Sequence, residues 1–167
     1  MKIRPGGLDD LPTVLGMLDS AVTWLVSHGR TGQWGTEPWS SRPASVQRIG
    51  EMLADAEPWI LEVDGEPAGT LVLDSKPGTG VAPVDEPEVF VRLLVTDRRF
   101  AGRGVGAALL EHATEETRRR NVDLLRVDCF AGNEGRLVAY YTGQGFTPTD
   151  TFTVGDWHGQ ILAKRLG

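Results

Sequence analysis

The sequence predicts a single α/β domain over residues 1–167, with helices packed on a mixed sheet. Three observations predict it. Helical stripes and strand-like runs interleave as β-α-α-β-β-β-α-β-α-β-β, without the regular βα alternation of a doubly wound sheet. A chain of 167 residues that is 40% apolar can bury one core and leaves little room for a second domain. Glycine supplies 21 residues and proline ten, with no G-X-Y period. That is well above the roughly 7% glycine of ordinary proteins, so the excess reads as punctuation between elements.

The elements follow in order. Residues 2–4 read as a short edge strand. Over residues 8–28, Leu11, Val14, Leu15, Leu18, Val22, Leu25 and Val26 recur at three- and four-residue steps, the stripe of an amphipathic helix. Asp9 or Asp10 can cap it, Pro12 fits its first turn and Gly29 stops it. A polar, glycine-rich stretch carrying Trp34 and Trp39 leads to a second helix that starts at Ser41-Arg42-Pro43 and buries Val46, Ile49, Met52 and Leu53. The period then changes. Residues 59–63 and 68–73 are strand-like and joined by Asp64-Gly65, a strong hairpin signal. An irregular loop leads to an aliphatic strand over residues 88–96. Residues 105–120 are helical, with Val105, Leu109 and Ala113 on one face and Glu115–Arg119 and Glu116–Arg120 spaced to pair. A strand over 124–129, a helix over 136–144, and strands over 146–154 and 157–166 complete the chain.

Composition excludes several classes. Lys+Arg 17 against Asp+Glu 23 gives −6, and the pI is about 5.1. A whole-surface attraction to nucleic acid or to an anionic membrane is therefore not expected. The single cysteine, Cys129, builds no disulfide framework or multi-cysteine zinc site, and buried structural cysteine is its expected state. His28, His112 and His158 lack metal-ligand spacing, so no metal is expected. The start MKIRPGG has no apolar run of a signal peptide, and no stretch approaches the roughly 20 apolar residues of a membrane span. A cytoplasmic protein is expected.

Chemistry concentrates in LLVTDRRFAGRGVGAALLEHA. A strand ends near Thr96; Arg98, Arg99, Gly102, Arg103, Gly104 and Gly106 follow, and a helix begins at once. Alternate glycines let backbone N–H groups approach a ligand, and a helix N-terminus offers unpaired donors to an anion. Arg92, Arg98, Arg99 and Arg103 against Asp97 make a local +3 inside a chain of −6. This composition and placement predict a phosphate-binding loop. No Gly-Lys-Ser/Thr follows, which removes a Walker A loop. A dinucleotide fingerprint is the rival, since Gly102, Gly104 and Ala107 satisfy G-x-G-x-x-A and Asp128 ends a later strand. Against it, the strand ends well before Gly102, and only about 60 residues remain for a second mononucleotide half.

The segment resembles the CoA-binding motif of the GNAT acetyltransferase superfamily, Q/R-x-x-G-x-G/A. Matched on Ala101-Gly102-Arg103-Gly104-Val105-Gly106, it departs only where Ala101 replaces the first Gln or Arg, a charge that Arg99 or Arg98 can supply. A later segment resembles the family's N-x(7)-Y-x(3)-G-F, with Asn133, Tyr141, Gly145 and Phe146 in register. The resemblance implies a mostly antiparallel sheet with a splayed fourth and fifth strand pair and about four helices. It implies acetyl-CoA as co-substrate and direct transfer of its acetyl group to an amine of a small molecule or peptide. Cofactor contacts are then expected from Leu94, Val95, Arg99, Gly102, Arg103, Gly104, Val105, Gly106, Asn133 and Tyr141. Tyr141 is expected to protonate the departing thiolate, and a backbone N–H near Leu94 or Val95 to meet the oxyanion. Glu88 is the expected base, with Asp85 and Glu86 as alternatives.

Acceptor recognition is expected in the first two helices and the loop between them. Trp34 and Trp39, with Trp24 nearby, form either an aromatic wall for the acceptor or a cover for the core, and both readings stand. Glu37 is the acid of that loop, and Asp128 is a second acid able to face the cleft. Two other readings also stay open at this level: a non-catalytic acyl-CoA sensor on the same fold, and a dinucleotide-binding protein. The sequence is compatible with a homodimer.

Overall fold

The computed structural model describes residues 1–167. Its elements are β1 (Lys2–Pro5), α1 (Leu11–Ser27), α2 (Pro43–Asp55), β2 (Glu57–Val63), β3 (Glu66–Asp74), β4 (Val89–Thr96), α3 (Val105–Arg119), β5 (Leu124–Phe130), α4 (Arg136–Gly143), β6 (Thr147–Val154) and β7 (Trp157–Arg165). The strands form one sheet in the order β1-β2-β3-β4-β5-β7-β6. Strands β1/β2, β5/β7 and β6/β7 pair antiparallel, while β4/β5 pair parallel across the α3 connection. This is the mixed sheet that the irregular element order predicts. No helix is long and apolar enough to cross a membrane.

Local chemistry explains most boundaries. Asp64 (φ 52°) and Gly65 (φ 79°) are both left-handed, the condition of a type I′ hairpin between β2 and β3. Helix α1 ends where Arg30 N–H reaches back to the Leu25 carbonyl across left-handed Gly29, a Schellman stop. Its start differs from expectation. Asp10 sits at the N-cap but gives no capping hydrogen bond to α1. Its carboxylate instead accepts from the Gly7 N–H at 2.9 Å and from Arg4 at 2.9 Å, tying β1 to the turn ahead of α1. In α3, Arg119 pairs with Glu116 at 2.9 Å, three residues back, instead of with Glu115.

The chain packs as two compact units, Met1–Val72 with Leu93–Leu109, and Leu73–Arg92 with Leu110–Gly167. In the first, Val14, Met17 and Leu18 of α1 meet Ile49 and Leu53 of α2 over Ile60, Val72 and Val95 of the sheet. Burying each such side chain contributes about 1.5–3 kcal/mol. Gly69 of β3 permits the closest approach in this unit. A Cβ there would lie 2.6 Å from Val105 Cγ1 and 3.2 Å from the Val95 carbonyl oxygen. The first turn of α3 thus rests directly on backbone, as a glycine inside a strand often signals. Gly69→Val is expected to cost about 1–3 kcal/mol through overpacking, read as a lowered midpoint in urea unfolding.

In the second unit, Val81 of the loop ahead of β4 packs with Phe90, Ile161 and Phe152. That loop is pinned further by Arg126, whose guanidinium donates to the Ala82 carbonyl at 3.1 Å. The same guanidinium donates to both oxygens of Glu88, at 2.7 and 2.8 Å. Arg126→Met leaves a buried carboxylate without its counter-ion and is expected to cost about 3–5 kcal/mol. Adding Glu88→Gln should recover part of the loss in the same unfolding measurement.

Candidate active site

The turn between β4 and α3 is organised by Asp97. Its N–H donates to the Ala68 carbonyl at 2.8 Å, and its carboxylate accepts from the Arg99 N–H at 2.9 Å and from the Arg99 guanidinium at 3.3 Å. Arg98 N–H donates to Ser20 Oγ at 2.9 Å, and the Arg98 guanidinium lies 4.0 Å from the centre of the Trp24 ring. Phe100 is buried beneath, with Arg99 and Arg103 over its ring. One turn of α1 therefore holds the front of the loop in place. Neither Ser20 nor Trp24 stands out for this role in the sequence, because the contact joins residues 78 positions apart.

Gly102 (φ 76°) and Gly104 (φ 75°) are left-handed, and α3 starts immediately at Val105. The first helical hydrogen bond runs from Ala108 N–H to the Gly104 carbonyl at 3.0 Å. Helix geometry then leaves the N–H groups of Val105, Gly106 and Ala107 without helical partners. A Cβ at Gly102 or Gly104 would meet nothing within 4 Å, so the space over the turn is open. Gly106 lies in the first turn of α3, and the two left-handed glycines ahead of it are Gly102 and Gly104. Beside the Ala101–Gly106 register, which departs at Ala101, Arg99-x-x-Gly102-x-Gly104 also fits Q/R-x-x-G-x-G/A.

The local charge is also corrected. Arg92 is engaged elsewhere, donating to Asp74 at 3.0 Å. Arg98, Arg99 and Arg103 against Asp97 leave +2 on the turn itself. Leu94 and Val95 lie on β4 just ahead of it, Val95 buried in the first unit's core.

In the second unit, Asn133 (φ 56°), Glu134 (φ 61°) and Gly135 (φ 72°) make three successive left-handed residues that lead into α4. The helix ends in a Schellman stop: Phe146 N–H donates to the Tyr141 carbonyl at 3.1 Å across Gly145 (φ 95°). The rings of Phe146 and Tyr141 meet edge to face at 5.9 Å, the apolar contact that accompanies such stops. The Y-x(3)-G-F pattern thus has a mechanical reason: it fixes the tyrosine at the last turn of a short helix. Tyr141 is 6% exposed. Burial, then the neighbouring Cys129, Tyr140 and Asp128, push its phenol well above the usual range, so it is neutral at any working pH. Tyr140, beside it, is partly exposed.

Cys129 is buried, and desolvation with the adjacent Asp128 pushes its thiol up to about 12. Such a thiol is a poor nucleophile near neutrality. Glu88 is placed differently from a free base. It is buried with both oxygens accepting from Arg126, which makes it an anchor for the start of β4. Asp85 and Glu86 precede it in the loop, and Glu86 pairs with Arg165 at 3.0 Å.

The loop after α1 folds on itself. Arg42 donates to the carbonyls of Trp34 at 3.2 Å and Glu37 at 3.3 Å, and Trp39 Nε1 donates to the Trp34 carbonyl at 3.2 Å. Trp34 and Trp39 are partly buried against the core of α1 and α2 and keep part of their rings exposed. The Glu37 side chain is exposed.

Residues 21–146 match the acetyltransferase (GNAT) family. The chain is 24% identical over 153 residues to the uncharacterized N-acetyltransferase YesJ of Bacillus subtilis (strain 168), a match that covers 85% of this chain and 79% of that protein. Two solved structures share the fold. PaiA N-acetyltransferase from Thermoplasma acidophilum, in complex with coenzyme A, superposes with a TM-score of 0.70 at 18% identity over 99% of this chain and 98% of that one. YncA from Salmonella typhimurium, with its cofactor acetyl-CoA, gives 0.67 at 16% identity over 100% and 94%.

Proposed function

The chain belongs to the acetyltransferase (GNAT) family, and we propose that it moves an acetyl group from acetyl-CoA to an amine of a small molecule or peptide by direct attack. The observation that carries this reading is the turn from Gly102 to Val105. Two left-handed glycines deliver the chain into a helix whose first N–H groups are unused, under open space and beside three arginines. That is a site for a diphosphate. The match over residues 21–146 includes that turn and Tyr141, and it supports treating residues 1–167 as one acetyltransferase domain.

Each role follows from chemistry. The N–H groups of Val105, Gly106 and Ala107, with Arg99 and Arg103, hold the pyrophosphate of acetyl-CoA. Arg99 is paired with Asp97 and would exchange or share that partner for a phosphate. A backbone N–H at Leu94 or Val95 meets the oxyanion that develops at the thioester carbon. Tyr141 donates to the departing thiolate, and Asn133 orders the turn that leads to it. Glu88, locked to Arg126, positions the strand.

The test is thiol release from acetyl-CoA across a panel of primary amines and peptides with free N-termini. Amine-dependent release is expected. Thermal stabilisation by acetyl-CoA with no release on any amine would leave only a binding protein, and stabilisation by NAD in place of acetyl-CoA would return the dinucleotide reading.

A further inference from the structure

We infer that Arg98 and Arg30, held on the ring of Trp24, form a carboxylate seat, so that the acceptor is a small amine that also carries a carboxylate. The inference rests on the acetyl-transfer reading above and names the acceptor class of that reaction.

Two guanidinium groups share one indole in the first unit. The Arg98 guanidinium lies 4.0 Å and the Arg30 guanidinium 5.1 Å from the centre of the Trp24 ring. Neither makes an ion pair, and the acids beside this contact are taken. Asp97 accepts from Arg99, and Asp19 accepts from the Ser40 N–H at 3.1 Å and from the Ser40 hydroxyl. Helix capping does not account for the two arginines either. The carbonyls of Trp24, Leu25 and Val26 are met by the N–H groups of His28, Gly29 and Arg30, and that of Trp24 also by Ser27 Oγ at 2.7 Å. The result is a patch of +2 around a half-buried ring.

Stacking holds a guanidinium by its face and leaves the N–H groups on its edge to donate, the fork that matches a carboxylate. Arg98 Nε is shut off from water and meets no acceptor. No hydrogen bond of the chain offsets the desolvation of that nitrogen.

The two faces of the sheet separate this patch from the diphosphate. Gly69 and Thr70 are neighbours on β3 and point to opposite faces. A Cβ at Gly69 would meet Val105 and Leu109 of α3, whereas the Thr70 hydroxyl donates to Met17 Sδ of α1 at 3.1 Å. Helix α3, whose first N–H groups are proposed for the diphosphate, therefore covers one face and α1 the other. Arg99 and Arg103 lie over Phe100. Arg98 alone of the three turns to α1, with its N–H on Ser20 and its guanidinium on Trp24. Arg30 follows α1 directly, in the loop that carries Trp34 and Trp39. The seat thus belongs to the α1 side, where acceptor recognition is expected.

Distance limits the acceptor. The four residues from Leu94 to Arg98 span at most about 14 Å. An amine at the end of β4 and a carboxylate on Arg98 therefore fit one small molecule with a short chain between them.

The test compares two matched pairs of acceptors by thiol release: ε-aminocaproate with its neutral amide, and glycylglycine with its neutral amide. The pairs distinguish a free amino acid from a short peptide as the source of the carboxylate. In at least one pair the wild type is expected to favour the carboxylate member by about 10-fold or more in kcat/KM, the size of a charge-assisted hydrogen bond. Arg98→Met and Arg30→Met should each raise the KM of that member and bring the ratio within the pair toward one. Arg98→Lys, a charge without the fork, should keep part of the preference. Thermal stabilisation by acetyl-CoA reports that each variant is folded. Equal use of both members in both pairs by the wild type overturns the inference, as does a preference that survives both Met variants; either leaves acetyl transfer standing. A rise in the acetyl-CoA KM of these variants that is absent with dephospho-acetyl-CoA also overturns it, because the guanidiniums then hold the ribose phosphate of the cofactor. Absence of thiol release from the wild type with every amine overturns the acetyl-transfer reading, and this inference falls with it.

Discussion

Gly104→Glu is expected to give a folded protein that acetyl-CoA no longer stabilises. At a ligand concentration 100 times its Kd, the wild type should gain about 2.7 kcal/mol from binding, and the variant none. Two causes act together. Gly104 has φ of 75°, so any L-residue there is strained. Its Cβ direction is empty to 4 Å, so the new carboxylate projects into the space above the turn. There it competes for the free N–H groups of α3 and repels phosphate. Gly104→Ala separates the two causes. It carries the backbone strain, about 1–2 kcal/mol of stability, yet adds no charge and should still bind. Differential scanning fluorimetry with and without acetyl-CoA checks both variants. Full stabilisation of Gly104→Glu would remove the phosphates from this turn.

Tyr141→Phe should keep acetyl-CoA stabilisation and lose about 10²-fold or more in turnover, the usual size of a general-acid contribution. The packing survives the change, since the edge-to-face contact with Phe146 at 5.9 Å involves the ring and not the hydroxyl. Burial has raised the phenol, so it keeps its proton above the range where an exposed tyrosine ionises. The sign of the pH dependence follows. A neutral donor is present throughout, and turnover should show no falling limb near pH 10 from loss of the tyrosine proton. The phenol also holds its proton more tightly than a free thiol does. It therefore acts as a hydrogen-bond donor to the developing thiolate and completes the transfer only as the amine proton returns. Steady-state thiol release between pH 6 and about 10.5 tests this. Equal kcat for wild type and Tyr141→Phe would remove the phenol from the reaction.

The parts of the site that the sequence reveals are those whose signal is local. Asp64-Gly65 announces its hairpin because two residues alone decide the turn. The Tyr141-x(3)-Gly145-Phe146 stop is legible because the helix end, its left-handed glycine and the ring contact all lie within six residues. The turn proposed for the phosphates is legible as composition but not in register. Gly102, Gly104 and Gly106 alternate, so two registers fit the same letters, and the structure adds that Gly102 and Gly104 are left-handed and that Gly106 lies in the first turn of α3.

Where the partner lies far along the chain, no letter pattern carries the answer. Glu88 reads as the best base on its strand until Arg126, 38 residues later, takes both oxygens. Gly69 looks like an ordinary glycine until Val105 arrives against it. Trp34 and Trp39 serve an acceptor or a core equally well on paper, and only the folded loop shows that Arg42 holds the Trp34 carbonyl and that both rings pack on the α1–α2 core.

The sequence by itself determined the mixed α/β order and the helix and hairpin ends, which rest on periodicity or backbone preference spanning a few residues, while the family came from the resemblance of two short motifs. Tertiary structure alone decided that Glu88 is spent as an anchor, because its partner Arg126 lies 38 residues along the chain and no local pattern announces the pairing.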